Sequence, residues 1–551
     1  MSVCYLNFGP LRADFFSRAG IFGSRYLALA FWGATWLCFP MDNHNFDTLF
    51  TEILQARTRV YRAGDPTPLQ RLSLPDLDAE IYVKREDLSP INAYKWRGAY
   101  NCTAVMCEAK NAKTVVAASA GNHAQGVALA ARMLGITAKI YMPLSTPMMK
   151  QRAVKLHGGD HVEIILIGDN YDQASEAAKA FAAQEDLPYV HPFDDLYTMA
   201  GQATIADELV LSNDGPFDYV FLQIGGGGMA AGVSSWIKVH HPTTKIIGVE
   251  GIGQASMTAS IRHGEPVTLH EVDTFCDGTA VKRPGDLTFQ ICRKTLDEMV
   301  TVTNEEVCAG IQRFWDAKRV IPEPAGAMGL AGLIKFAAEN PDQVRGKKLL
   351  CILCGANMDF GKLALISSQS AIGANRRRYF RFHLNEQSGS LLGLLDQAFS
   401  DISVSEFQYG KISQTDGYPV IACEGTPEKM DDLQALLQQK HIEFEDVTED
   451  PDVRFRVINY NPALFRHPIL LHVHFPERKG ALREFMRQVS KVANLCYFNY
   501  AYTGETIGRA LMGFEFASAD DHKVFDEIVQ QSPVECRPVP ADAAARILAQ
   551  G

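Results

Sequence analysis

"DYVFLQIGGGGMAAG", residues 218–232, runs from an unbroken apolar, β-prone stretch into four glycines and then into small residues that suit a helix. Such a continuous apolar run belongs to a strand buried on both faces, and a helix opening at its carboxyl end is the repeating unit of a parallel α/β sheet. Gly225, Gly226, Gly227 and Gly228 let the backbone fold its amides around a phosphate with no Cβ in the way, and Met229 continues into the helix. A dinucleotide-binding turn is the rival reading, because Glu250 stands near the spacing at which that fold places its ribose-binding acid. A P-loop is excluded, since no Gly-Lys-Ser/Thr follows.

The same alternation extends in both directions. "AEIYVKRE" leads into a predicted helix over 95–109, "TVVAAS" into one over 122–134 and "AKIYM" into one over 146–157, while "HVEIILI", "TKIIGVE" and "KLLCIL" carry the pattern to about residue 353. This predicts a parallel sheet covered by helices on both faces, with ligands bound beyond the carboxyl ends of its strands.

Three further loops fall at those ends. In "ASAGNHAQG", residues 118–126, Ser119 and Asn122 can cap the following helix, and the small residues Ala120 and Gly121 leave backbone N–H groups open to a carboxylate. His123 reads by itself as a packed or capping histidine. In "ILCGANMD", residues 352–359, Cys354 either fills space or offers a weak S–H donor to a heterocyclic nitrogen. In "INAYKWRGAYN", residues 91–101, Lys95 is either a surface lysine lying along its apolar stem or an amine whose pKa falls in a dry pocket, competent to form a Schiff base. A phosphorylated aromatic aldehyde would use all four loops at once, and pyridoxal 5'-phosphate fits that description.

The remaining features bound the alternatives. A chain of 551 residues predicts several domains, and its formal net charge of -11 gives no basic face for nucleic acid. The short "RRR" at 376–378 reads as a solvated boundary. The twelve cysteines lie mostly in apolar runs, which suits a reducing, cytoplasmic setting. Cys351 and Cys354 form a C-x-x-C inside a strand pattern, and His472 and His474 alternate without a third ligand, so no metal site is expected. Residues 1–40, with Arg12, Arg18, Arg25 and the uncharged run "YLALAFWGATWLCF", read as an extension that is cleaved or untranslated, with Met41 as an alternative start; the run is too short to span a bilayer. In the last third, "FRFHLNEQSGSLLGLL" from 380 aligns on "LHVHFPERKGALREFM" from 471. That offset matches Glu386 with Glu477, Gly389 with Gly480, Leu391 with Leu482, Phe407 with Phe498 and Tyr409 with Tyr500, which predicts a duplicated small α+β domain.

Together "VKRED", "YKWRGAY", "SAGNHAQG", "GGGGMAAG", "VKR" at 281–283, "EPAGA" and "CGANMD" resemble the tryptophan-synthase-β-like pyridoxal phosphate enzymes, and within them the biosynthetic threonine dehydratases. The resemblance implies a fold type II α/β catalytic part over 41–372 and two ACT-like, ferredoxin-like regulatory domains over 376–450 and 467–541. It implies Lys95 as the Schiff-base lysine, Asn122 facing the ring hydroxyl and Gly225 to Met229 around the phosphate. Cys354 would stand beside the ring nitrogen, and Ser119, Ala120, Gly121 and His123 would form the substrate-carboxylate loop. The implied reaction is dehydration and deamination of L-threonine, with L-serine as a side substrate. Isoleucine would inhibit, opposed by valine, in a soluble homotetramer that binds neither membrane nor nucleic acid. Related serine racemases carry a serine where this chain has Ala120, so racemisation is not expected. A catalytically silent amino-acid sensor on the same fold is the reading of a different class. Ala93 replaces a small hydroxyl residue usual in the family, and Tyr94 and Trp96 replace Phe and Leu, while Lys95 stays in register.

Overall fold

The computed structural model describes residues 44–548 except 400, 455, 477, 479 and 503–506. The extension over 1–40, Met41 and the match of Glu386 to Glu477 therefore fall partly or wholly outside the described residues. No helix among the described residues is long and apolar enough to cross a membrane.

The part preceding the repeats holds, among the described residues, two sheets where the sequence predicts one. The larger has the order Leu69–Leu72, Glu80–Arg85, Lys348–Leu353, Tyr219–Gln223, Lys245–Gly251, Glu298–Val302; every neighbouring pair is parallel except the first. The smaller is parallel throughout and comprises Thr114–Ala118, Thr137–Met142 and Val162–Leu166. The division arises because Glu80–Arg85 pairs with the distant Lys348–Leu353, and so does not continue into the strand that follows it in sequence. The predicted helices are found at Lys95–Lys110, Asn122–Leu134 and Met148–Gly158.

The helix that begins at Lys95 is fixed by polar and steric means at once. Gly98 and Gly201 let it cross Leu196–Val210 at backbone contact: a Cβ on Gly98 would stand 2.6 Å from the Thr198 carbonyl, and one on Gly201 2.6 Å from that of Arg97. Between these helices and the sheet, the fully buried Arg97 donates to both oxygens of Glu86 at 2.9 and 3.0 Å and to Glu208 at 2.5 Å. Thr67 donates to Glu86 at 2.5 Å, and Lys84 pairs with Glu208. Burial pushes the Glu208 carboxyl pKa upward, but Arg97 and Lys84 overcome this and hold it below the usual range.

The two C-terminal repeats fuse into a single antiparallel eight-stranded sheet. Its order is Phe444–Asp446, Arg377–Phe382, Val420–Glu424, Ser403–Gly410, Asn494–Ala501, Ile507–Glu515, Ile469–Pro476, Glu535–Pro538. At the seam Phe407 pairs with Tyr500, Tyr409 with Phe498 and Gln408 with Asn499, so equivalent residues exchange about a local two-fold at the Gln408/Asn499 pair. Phe407 and Phe498 are completely buried and stack with ring centroids 4.3 Å apart. Helices Ser390–Ala398, Pro427–Gln439, Ala481–Val489 and Ala519–Gln531 cover one face and close the core on these rings.

One helix, Leu363–Gly373, carries the chain from the catalytic strand Lys348–Leu353 into this sheet. It packs on Asn304–Lys318, and a Cβ on Gly373 would collide with the Glu305 carbonyl. Two side-chain links reinforce the junction: Arg454 pairs with Glu305 at 2.7 Å and Arg376 donates to Gln312 at 2.7 Å.

Replacing Arg97 strands Glu86 and half-strands Glu208 in a dry interior, which costs about 3–5 kcal/mol. Arg97→Met should lower the melting midpoint of the catalytic part by roughly 5–10 °C, followed by circular dichroism; an unchanged midpoint contradicts the assignment.

Candidate active site

Lys95 is the first residue of its helix, and the chain just before it is tied to the carboxyl end of Lys348–Leu353. Tyr94 N donates to Cys354 O at 3.0 Å, and Ala93 forms a bridge with Gly355. The Ser89 hydroxyl both donates to Ala93 O and accepts from Ala93 N, each at 2.9 Å. Ala93 and Trp96, two of the three departures around the lysine, are buried in one cluster with Val60, Ile91 and Leu129. The Lys95 side chain leaves that cluster and brings Nζ to 3.2 Å from Pro192 O and 5.4 Å from the Tyr94 ring centre. Burial lowers its pKa to about 8, against the opposing pull of Cys354 and Glu323. The amine is thus half neutral near pH 8, far below the range of a free lysine.

The 118–126 loop does not use its polar side chains as predicted. Gly121, not Ser119 or Asn122, is the N-cap and makes no side-chain cap bond, while Ser119 Oγ accepts from Gly121 N at 3.2 Å. Asn122 turns away from its helix: Nδ2 donates to Glu323 Oε1 at 2.7 Å, and Oδ1 accepts from Asn357 Nδ2 at 2.7 Å. Ser119, Ala120 and Gly121 are half-buried, and a Cβ on Gly121 would meet open space. His123 is buried with Nε2 3.0 Å from Val190 O; burial, with Lys95 nearby, lowers its pKa to about 3, so the ring is neutral.

Glu323 and Asn357 were not singled out as site residues from the sequence, although both lie within noted motifs. Glu323 is buried, and burial together with Asp277 raises its pKa to about 7 against the stabilising bonds from Asn122 and the Asn357 backbone. Cys354 is buried, with Sγ 3.5 Å from Ala325 O, and burial with the nearby Glu323 keeps the thiol protonated. Cys351 points elsewhere, toward Tyr82 O at 3.8 Å, and no group of metal-ligating side chains occurs among the described residues.

The glycine run closes the site on a third side. Gly227 has φ +92°, where only glycine is unstrained, and helix Gly228–His240 begins immediately after it. A Cβ on Gly226 would collide with the Phe193 ring, so the ring and the loop are in contact. Residues 192 and 193 therefore join the loop to Lys95. Ile224 N donates to Val249 O and Ala231 N to Gly227 O; the amides of 225–230 between them meet no acceptor among the described residues. Glu250 is spent otherwise than a dinucleotide fold requires: its carboxylate accepts from Met257 N and Thr258 N at 2.8 Å and from Thr258 Oγ1 at 2.6 Å, capping Ser256–His263.

This arrangement was compared with known proteins. Residues 60–355 match the family "Pyridoxal-phosphate dependent enzyme", and residues 465–548 match "C-terminal regulatory domain of Threonine dehydratase". A biosynthetic L-threonine dehydratase of Haemophilus influenzae is 38% identical over 84% of this chain and 90% of its own length. The chain belongs to the biosynthetic threonine dehydratase family of pyridoxal-phosphate dependent enzymes. A biosynthetic L-threonine dehydratase of Escherichia coli is 35% identical over 90% of this chain and 96% of its own. The solved processed form of threonine deaminase isoform 2 from Solanum lycopersicum superposes with a TM-score of 0.56 at 39% identity, over 59% of this chain and 89% of that one. The residues present suit the family's cofactor: backbone amides without an acceptor among the described residues, at a positive helix terminus, match a phosphate, and an amine of lowered pKa matches an aldehyde.

The Lys95 amine attacks only when uncharged, so reloading of cofactor-stripped protein should accelerate as pH rises through about 8 and level off above about pH 9. Stopped-flow absorbance measures this. A rate still climbing tenfold per unit at pH 9–10, as an unperturbed lysine requires, contradicts the assignment.

Proposed function

We propose that the protein dehydrates and deaminates L-threonine to 2-oxobutanoate and ammonia, supplying isoleucine synthesis, and accepts L-serine less readily. The observation that carries the reading is the lysine of lowered pKa held between the open-amide loop and the Asn122–Glu323–Cys354 cluster. When bound, the cofactor supplies a conjugated ring that takes up charge released at the substrate Cα. Lys95 would hold the cofactor through Nζ, and the same Nζ, when uncharged, would be the base for the Cα proton of the substrate. Gly225, Gly226, Gly227, Gly228 and Met229 receive the phosphate through backbone amides. Asn122 would hold the ring hydroxyl, and Cys354, kept neutral by burial, would stand beside the ring nitrogen. A thiol does not hold a proton on that nitrogen as a carboxylate would, which favours rapid loss of the β-hydroxyl over transamination. Ser119, Ala120 and Gly121 take the substrate carboxylate on their open side, with His123 supporting the loop from its buried side. Ala120 has no hydroxyl to return a proton to the opposite face, so elimination is favoured over racemisation.

The same reading divides the chain into an extension over 1–40, a catalytic domain over 41–372 and regulatory domains over 376–450 and 467–541, in a cytoplasmic homotetramer. Isoleucine inhibits and valine opposes it. Support for an effector site comes from a small cavity where the two repeats meet, lined among others by Leu384, Leu391 and Phe407 of the first with Glu386 and Tyr409, and by Leu495 of the second. Its volume of about 30 Å³ suits a water molecule, so an amino-acid effector bound there would have to widen it.

Incubating the cofactor-loaded protein with L-threonine should release 2-oxo acid, with isoleucine suppressing and valine restoring the rate. Lys95→Ala should cost at least ~10²–10⁴-fold. A loaded, folded protein that forms no 2-oxo acid overturns the reading in favour of the sensor.

A further inference from the structure

We propose that Glu323 and Asn357 are positioning residues that lock the Asn122 side-chain amide in one orientation, so that the same edge of that amide always meets the ring oxygen of the bound cofactor. The proposal rests on the reading that Asn122 faces that oxygen.

Asparagine can meet a partner with either end of its amide, and the two ends have opposite hydrogen-bonding character. The structure removes this ambiguity by a directional relay that starts at a group unable to reverse. The Ile91 carbonyl can only accept, so Asn357 must turn its NH₂ toward it, and Nδ2 lies 2.9 Å from that oxygen. The second hydrogen of the same NH₂ goes to Asn122 Oδ1 at 2.7 Å, which fixes Oδ1 on the Asn357 side. Asn122 Nδ2 then faces the other way and donates to Glu323 Oε1 at 2.7 Å. The relay thus ends on an acceptor. Flipping Asn122 would set NH₂ against NH₂ at Asn357 and carbonyl against the ionised carboxylate at Glu323, losing two bonds in a part-buried site.

Each member of the relay is held by an independent part of the fold. Glu323 is buried at the start of helix Pro324–Glu339, its N–H donating to Gly355 O at 3.2 Å. Its carboxylate lies so near Gly355 that a Cβ there would come within about 2.5 Å of Oε1. Asn357 sits three residues further along the loop from Cys354, and Ala356 N donates to Asn92 O at 2.9 Å. The segments carrying Lys95, Asn122 and Cys354 are therefore joined through these two side chains. An amide already aimed needs no reordering when the cofactor arrives, which is how a supporting shell raises affinity.

The property required of Glu323 is an accepting oxygen, not its charge, and that separates the variants. Cofactor dissociation constants and visible spectra are measured by titrating the stripped full-length protein with pyridoxal 5'-phosphate, with melting of the stripped protein as the folding control. Glu323→Leu should weaken binding roughly tenfold and displace the visible band, whereas Glu323→Gln, which keeps an oxygen for Asn122, should stay within about twofold of the parent. In an Asn122→Ala background the Leu substitution should have little further effect, because the relay then has nothing to aim. Asn357→Ala should reproduce the loss from the opposite end and serves if Glu323→Leu does not fold. Glu323→Gln as damaging as Glu323→Leu, or a full-sized loss that persists without Asn122, overturns the proposal. If Asn122→Ala alone leaves binding and spectrum unchanged, it is the underlying assignment of Asn122 that fails.

Discussion

A guanidinium two residues beyond Lys95 organises the catalytic part. Arg97 is completely buried between Glu86 and Glu208, and these two carboxylates come from separate elements, the segment after Glu80–Arg85 and the helix Leu196–Val210. A charge so far from water is tolerated only with its partners in place. Satisfying it fixes the pitch and rotation of Lys95–Lys110 relative to strand and helix together. Lys95, at the mouth of the same helix, is consequently delivered to one place without needing an ion pair of its own. Its amine loses its proton more readily than a free lysine because burial disfavours the charged form.

The site and the regulatory sheet are joined by a short covalent path. Cys354 and Asn357 lie on the loop after Lys348–Leu353, and helix Leu363–Gly373 then leads directly to Arg377–Phe382 in the eight-stranded sheet. Backbone contact of Gly373 with Glu305 and the Arg454–Glu305 pair make the junction stiff. A change in the sheet has a direct covalent route through this helix to the loop that carries Cys354 and Asn357. The local two-fold at Gln408/Asn499 means that displacement of either repeat is felt by its equivalent across the seam.

Much of this was legible in the sequence, for identifiable reasons. Strands such as Tyr219–Gln223 and Lys348–Leu353 are buried on both faces and read as unbroken apolar runs. The glycine run, the register of Lys95 and the duplicated third were equally direct. Strand Leu69–Leu72, "LQRL", passed unnoticed because an antiparallel edge strand carries half its residues to solvent. Glu298–Val302 and the division into two sheets depend on pairings between distant segments, which no local pattern records. Glu250 had a suggestive spacing but caps a helix instead. Asn122 was a plausible cap whose partners, Glu323 and Asn357, lie more than two hundred residues away in the chain.

The central claim is that the neutral amine of Lys95 is where the cofactor is attached. Reducing the loaded protein with borohydride and mapping the modified peptide by mass spectrometry tests it directly. The account predicts one reduced pyridoxyl adduct per chain, on Lys95. An adduct on another lysine, or none on a protein that retains bound cofactor, would contradict it.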